Sequence, residues 1–256
     1  MRIFVLTQAD AFYIPLVLDH LLAMRRDVVG IGAAPGELQP GHARRYLRLM
    51  GPRDFLLQGL NLVRHRAMDL LGRAVPLRRS WSVAGAARRA GVPFETVPGV
   101  NAPGFLERLR ALGVDLVVSI ACPQRFGAEL LALPRHGCIN LHGALLPRHQ
   151  GLLPSFWVLA RGETETGVTV HWMAPDIDLG DILLQERVPI GPADTVHTLV
   201  TRSKVGVGRQ LLVRAITLVE NGEAPRVAMD PAQGSYHSFP DDAAVREFRA
   251  RGRRFI

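Results

Sequence analysis

At 256 residues, 48% hydrophobic and 21% charged, the chain has the make-up of an ordinary globular protein with a sizeable core. It has no run of about 18 uninterrupted apolar residues, so no membrane span is expected. The net charge of +8 is local: residues 36–80 carry +6 and the last fourteen +4, leaving the rest near −2, which permits an anionic partner without demanding one.

The N-terminal MRIFVLTQADAFY has one basic residue and reaches Asp10 quickly, so it reads as a first strand and not a signal peptide. RIFVLT (2–7) is a short apolar run, YIPLVLDHLLAM (13–24) has helical spacing, and DVVGIGAAPG (27–36) is a second strand ending in a turn. Residues 36–80 then read as a helical insertion. Over 42–79 leucines at helical spacing alternate with arginines, interrupted at Gly51-Pro52. Such a basic amphipathic helix can lie on a membrane surface or bind an anion. The expectation taken forward is that its apolar face packs on its neighbours or on a second subunit, which would make the chain a homodimer through this segment.

SVAGAARRAG (helix), VPFETV (strand), APGFLERLRALG (helix) and VDLVVSIA (strand) follow. This alternation predicts an α/β fold: a mostly parallel sheet with helices on both faces. TGVTVHWM (166–173) and DILLQERVPI (181–190) are two further strands, and residues 195–222 form a long amphipathic helix or helix pair with a glycine just past its end. The expected division is a domain over 1–221 and a short basic C-terminal extension over 222–256, too small to fold alone. Cys122 and Cys138 lack metal-ligand spacing and read as small core residues in a reducing, cytoplasmic setting.

The stretch GCINLHGALLPRHQG (137–151) carries the chemistry. Period two places Asn140 and His142 on one face at the end of the strand CINLH, and in open parallel sheets ligands bind beyond the carboxyl ends of strands. A second polar cluster, Asp176, Asp178 and Asp181 around Gly180, lies between two later strands, where a carboxylate could orient a histidine and hold a water. No grouping suits zinc, and no metal is expected. On spacing alone, Asn-x-His could equally be satisfied polar groups at a strand end, and an Asp-Gly cluster a turn.

GCINLHGALLPRHQG resembles the signature of the folate-dependent formyltransferases, the family of methionyl-tRNA formyltransferase, glycinamide ribonucleotide transformylase and the sugar N-formyltransferases. Ile177-Asp178-Leu179-Gly180-Asp181 resembles the family's distal Leu-Asp-x-Gly-type loop, and ETGVTVHWM (165–173) its Thr-Gly-Val-Thr strand. The match is best over about 114–190 and looser over 1–221. It implies a Rossmann-like formyltransferase fold and a catalytic trio of Asn140, His142 and Asp178. The implied reaction is formyl transfer from 10-formyltetrahydrofolate to a primary amine through a tetrahedral intermediate. Asn140 and protonated His142 would donate to the oxyanion, and Asp178 would raise the basicity of His142 or take the amine's proton through water. The pterin is expected against the main chain of Cys122, Pro123, Gln124, Arg125 and Phe126 and of Asp176 and Ile177. Here the chain departs from relatives with Tyr-Gly at the first turn, and Ala144 replaces the usual serine.

For the acceptor, the turn TQADAFYIP lacks the glycines of a phosphate nest, which counts against the purine substrate. About thirty-five residues follow the last helix, too few for the barrel that methionyl-tRNA formyltransferase carries, and tRNA is disfavoured as a partner although the arginines could touch its phosphates. The reading that remains is a small-molecule amine: an amino sugar nucleotide, an amino acid or a biosynthetic intermediate. Phe156, Trp157, Trp172 and Tyr236 could stack on a base or sugar, core packing being the expectation for the first three. The alternatives are a 10-formyltetrahydrofolate hydrolase using water as acceptor, and a basic binding protein on the same scaffold.

Overall fold

The first strand, β1 (Ile3–Gln8), sends Ile3 and Val5 into one core and Phe4 and Leu6 into another. A strand covered on both faces has to be apolar throughout, and this one is. A computed structural model describes residues 1–35 and 43–256. Around β1 it builds a seven-stranded sheet from β2 (Val28–Ala34), β3 (Phe94–Thr96), β4 (Leu116–Ile120), β5 (Cys138–His142), β7 (Glu165–Trp172) and β8 (Ile182–Pro189), in the order β3-β2-β1-β4-β5-β7-β8. The first five strands run parallel; β7 and β8 close the edge as antiparallel neighbours. This is the expected α/β architecture, mostly parallel and helix-covered.

One face is packed by α1 (Ile14–Met24), α4 (Val83–Ala90) and α9 (Arg209–Asn221); the other by α5 (Pro103–Ala111) and α6 (Ala128–Ala132). Cys138 is buried in the second core and Cys122 packs at its margin. The stretch read as a long helix or helix pair is one continuous rod. It starts as α8 (Val196–Val200), widens to π-helical turns over Thr201–Gly208, and ends as α9 with Gly222 in the left-handed conformation at φ 73°.

The insertion supplies α2 (Ala43–Met50) and α3 (Pro52–Leu71), and its residues 36–42 lie outside the described ones. The break between the two helices is Gly51, whose φ of 83° ends one and lets Pro52 open the next. Within the single chain the apolar face of α3 is not buried against its neighbours. Leu56, Leu60, Val63 and Leu70 are each about 60% exposed or more, while the buried residues are Asp54 and His65. Polar groups clamp this helix. Asp54 Oδ2 accepts the N–H groups of Phe255 (3.1 Å) and Ile256 (3.3 Å), and the His65 ring donates to the Ala11 carbonyl. The inward face of α3 borders a cleft instead of a core.

Residues 222–256 are woven into the molecule. α10 (Asp242–Ala250), Phe239 and Phe255 share a third core with α7 (Pro154–Arg161), α8 and Leu49 of α2. β9 (Tyr236–His237) pairs with β6 (Gln150–Gly151). Three arginines of the basic tail hydrogen-bond to carbonyls of this chain. Arg249 donates to the Arg48 carbonyl, Arg251 to that of Ala160, and Arg253 to that of Gly191. Phe156, Trp157 and Trp172 are buried, as expected, whereas Tyr236 is exposed on the cleft. Among the described residues no helix is long and apolar enough to cross a membrane.

Candidate active site

β5 ends at the site because its alternation leaves no other option. Ile139 and Leu141 enter the core beneath α1 and α9, so Asn140 and His142 face the opposite side. The antiparallel register with β7 sets His171 directly across from Asn140, and Thr169 across from His142. Val168, Val170 and Trp172 take the core face of β7, which commits His171 to the face of Asn140. The loop after β7 then returns Asp178, at φ 53°, over both strands.

The three expected catalytic side chains therefore converge, with a fourth. Asn140 Nδ2 lies 3.1 Å from His171 Nε2 and 3.3 Å from Asp178 Oδ1. Asp178 Oδ2 accepts the Gly151 N–H at 2.9 Å and lies 3.4 Å from His142 Nδ1. His142 Nε2 donates to the His149 carbonyl at 2.8 Å. A carbonyl can only accept, so Nε2 carries a proton, and Nδ1 is the ring nitrogen that faces the carboxylate. His171 Nδ1 donates to the Trp172 carbonyl at 2.8 Å, which leaves its Nε2 to receive the Asn140 amide.

Two glycines make this geometry feasible. Gly151 has φ 89°, and a Cβ there would strike the His237 carbonyl oxygen; Gly180 has no room for a Cβ against the Trp172 carbonyl oxygen. One lets its N–H reach Asp178, and the other lets the Asp178 loop lie on β7.

Burial sets the charges. It is the largest influence on His142 and pushes the imidazole below its ordinary range, against the pull of Asp178. Burial alone would raise the Asp178 carboxyl, yet His142, His171 and the Gly151 N–H together hold it well below the usual carboxylate range. Burial thus disfavours the charged imidazole, while the neighbouring Asp178 carboxylate favours it. Burial also pushes the Cys122 thiol up to about 11, which favours its protonated form.

The four side chains stand in a cleft of about 1200 Å³. Cys122, Pro123, Gln124, Arg125 and Phe126 line it, as do Asp176 and Ile177. An Arg125–Asp176 ion pair of 3.7 Å ties these two segments together across the opening. Gln124 braces the first segment, its amide donating to the Pro98 carbonyl and accepting the Val100 N–H. Asp181 pairs outside with Arg226 at 3.7 Å. Across the cleft, where a phosphate nest could form after β1, Asp10 Oδ1 accepts the N–H groups of Phe12, Tyr13 and Ile14 at 2.8, 2.7 and 3.0 Å. The carboxylate fills those donors itself.

Sequence reasoning missed His171, Asp10 and Lys204, which also lines the cleft. His171 carried a readable signal, two residues from Thr169 on a strand whose remaining face is apolar. The other two became visible only with the tertiary structure.

Residues 94–216 match the family model described as "Formyl transferase". The methionyl-tRNA formyltransferase of Moorella thermoacetica is 42% identical over 155 residues, 60% of this chain and 49% of the relative. The chain spans about half the length of the curated relatives it matches. Among solved structures, glycinamide ribonucleotide transformylase 1 from Symbiobacterium toebii aligns with a TM-score of 0.62 at 21% identity, covering 90% of this chain and 95% of its own. An N-formyltransferase from Helicobacter canadensis, solved with folinic acid and dTDP-3-aminofucose, aligns with a TM-score of 0.58 at 16% identity, covering 93% and 71%. Residues 94–216 thus resemble the formyl transferases in sequence, and the chain as a whole resembles solved formyltransferases in fold.

Proposed function

We propose that the chain transfers a formyl group from 10-formyltetrahydrofolate to a primary amine of a small molecule. The observation that carries this reading is the convergence of Asn140, His142, His171 and Asp178 at one wall of a cleft large enough for two substrates. The loops Cys122–Phe126 and Asp176–Ile177, braced and tied by an ion pair, fit a flat heteroaromatic ring held by main-chain groups. The solved relative bound to folinic acid and an amino sugar nucleotide supports the same pairing of ligands.

Bound there, the folate supplies an activated formyl group. Asn140 turns the amide N–H that rests on Asp178 Oδ1 to the formyl oxygen; such a donor is typically worth about 3 kcal/mol of barrier. His171 holds the amide in orientation by accepting its other N–H. The incoming amine surrenders its proton to Nδ1 of His142, and the Asp178 carboxylate stabilises the imidazolium so formed. Nε2 stays bound to the His149 carbonyl, which keeps Nδ1 aimed at the cleft.

A second reading, transfer to methionyl-tRNA, is favoured by the names of the sequence relatives. Against it, three of the five arginines in the last fourteen residues already spend part of their donors on carbonyls of this chain. The test is incubation with 10-formyltetrahydrofolate and a panel of amino sugar nucleotides, amino acids and charged tRNA, followed by mass spectrometry. A product heavier by one formyl group, lost in Asn140→Ala and His142→Ala, supports transfer. Formate release without any amine would make the protein a hydrolase, and biological activity surviving both variants would make it a binding protein.

A further inference from the structure

Lys204 is the only lysine in the chain; every other basic side chain of the Lys/Arg class is arginine. It sits in the π-helical turns Thr201–Gly208, a form of helix that concentrates at functional sites. On that rod Val196, Val200, Ser203 and Lys204 line the cleft. Among the described residues the ammonium makes no hydrogen bond and no ion pair; two carboxylates, Asp10 and Asp178, flank it at longer range. Burial pushes the amine below its ordinary range, and those two carboxylates oppose the shift. A half-buried cation with no partner within reach is costly to keep unless something pairs with it.

The charges around it define what fits. One ammonium between two carboxylates complements a zwitterion: the acceptor's amine toward Asp178 and Asp10, and a single negative group toward Lys204. A dianionic phosphate placed at Lys204 would meet two carboxylates there, and the N–H groups after β1 that could hold it are occupied by Asp10. Phe12, Tyr13, Phe55, Leu62 and Trp81 supply apolar and aromatic wall to this half of the cleft, alongside polar and charged groups of α3 and the turn after it, among them His65, Arg66, Asp69 and Arg73. Tyr13 is fixed in place, its hydroxyl 2.9 Å from His197 Nδ1.

We infer that the acceptor is a free amino acid with an apolar or aromatic side chain, its carboxylate held by Lys204. This rests on the formyl-transfer reading above and narrows it. The bond that forms joins the amino nitrogen to the formyl carbon, the bond that breaks releases the folate nitrogen, and the amine's proton passes by way of His142 to that leaving nitrogen.

The test compares phenylalanine and methionine with their methyl esters, which keep amine and side chain but lack the carboxylate. Wild type should formylate the free acids at least tenfold more efficiently than the esters. Lys204→Met should raise KM for the acids about tenfold or more and leave the esters unchanged, while Lys204→Arg keeps much of the preference. A readout without the donor uses the single lysine. Reductive ¹³C-methylation, which preserves its charge, yields one lysine NMR signal, and that signal should move on adding phenylalanine and stay put on adding its ester. Esters used as well as acids, or a Lys204→Met variant that slows both equally and shifts the pH profile, would overturn the inference and leave Lys204 as a countercharge for Asp178. Formate release with no amine product refutes transfer itself; the lysine signal then decides the subsite separately, and a signal unmoved by either free acid overturns it.

Discussion

Asn140 and His171 face each other across the antiparallel pair β5–β7, with Nδ2 of one 3.1 Å from Nε2 of the other. The amide is therefore oriented by a ring that is itself locked through Nδ1 to the Trp172 carbonyl. His171→Ala should lower kcat by roughly a hundredfold, the scale on which small misplacements of a reacting group are felt. Binding of the folate donor should change little. His171→Gln, whose carbonyl can accept the same amide N–H, should recover part of the rate. Equal losses in both variants would mean that the ring acts in some other way than by orienting Asn140.

The pH dependence follows from which form each group favours. Burial holds His142 below its ordinary value near 6.5, so its base form persists below that pH. The acid limb of the rate that lies above pH 6.5 should then belong to the acceptor's amine and move when acceptors of different amine pKa are compared. A limb fixed near 6.5 for every acceptor would place the titration on His142 instead. Stability shifts the same way. His142 and His149 have folded pKa values below their unfolded ones, so the unfolded chain binds protons first. Their contribution is complete above about pH 6.5 and is lost as pH falls from there toward the folded values. Asp178, depressed in the folded state, adds a loss only below about 3.8. Urea midpoints should stay level from pH 8 to about 6.5 and fall from there to pH 5, before Asp178 is titrated.

Much of this architecture is written in local pattern. Ile139 and Leu141 are apolar and alternate with Asn140 and His142, so strand period alone places the polar pair together at a strand end. Gly222 marks the helix terminus for a similarly local reason. His171 is different, because its partnership with Asn140 depends on β7 running antiparallel beside β5, a register between segments thirty residues apart. The filled turn after β1 was also hidden: the absence of glycine was readable, but the Asp10 carboxylate taking three N–H groups is a matter of backbone curvature. Helix α3 leaves its apolar face outside the core of this chain for a physical reason. Its leucines have helical spacing, yet its inward side borders a cleft, and polar clamps at Asp54 and His65 hold it there.

Gly180→Ala should separate the loop from the fold. A Cβ at this position collides with the Trp172 main chain, and backbone cannot rotate away as a flexible side chain can. The loop must lift, taking Asp178 away from Asn140, His142 and the Gly151 N–H. Transfer should fall by at least tenfold while the circular dichroism spectrum stays that of wild type. Full activity in this variant would show that Asp178 need not rest where it does.

The C-terminal segment and the outer face of α3 make opposite predictions from similar-looking residues. Phe248 is 2% exposed, stacks on Phe156 at 4.7 Å and touches Phe255 at 5.4 Å, so α10 is held by an aromatic cluster that also contains α7. Truncating such a ring leaves a cavity that the neighbouring rings cannot close, and Phe248→Ala should cost about 3–5 kcal/mol. Leu60, on α3, is 59% exposed, and Leu60→Gln should change stability by no more than about 0.5 kcal/mol. Denaturant unfolding of the two variants at equal protein concentration measures both. A cost below about 1 kcal/mol for Phe248→Ala would mean that residues 222–256 detach without disturbing the rest, and a large cost for Leu60→Gln would mean that the outer face of α3 is covered in solution.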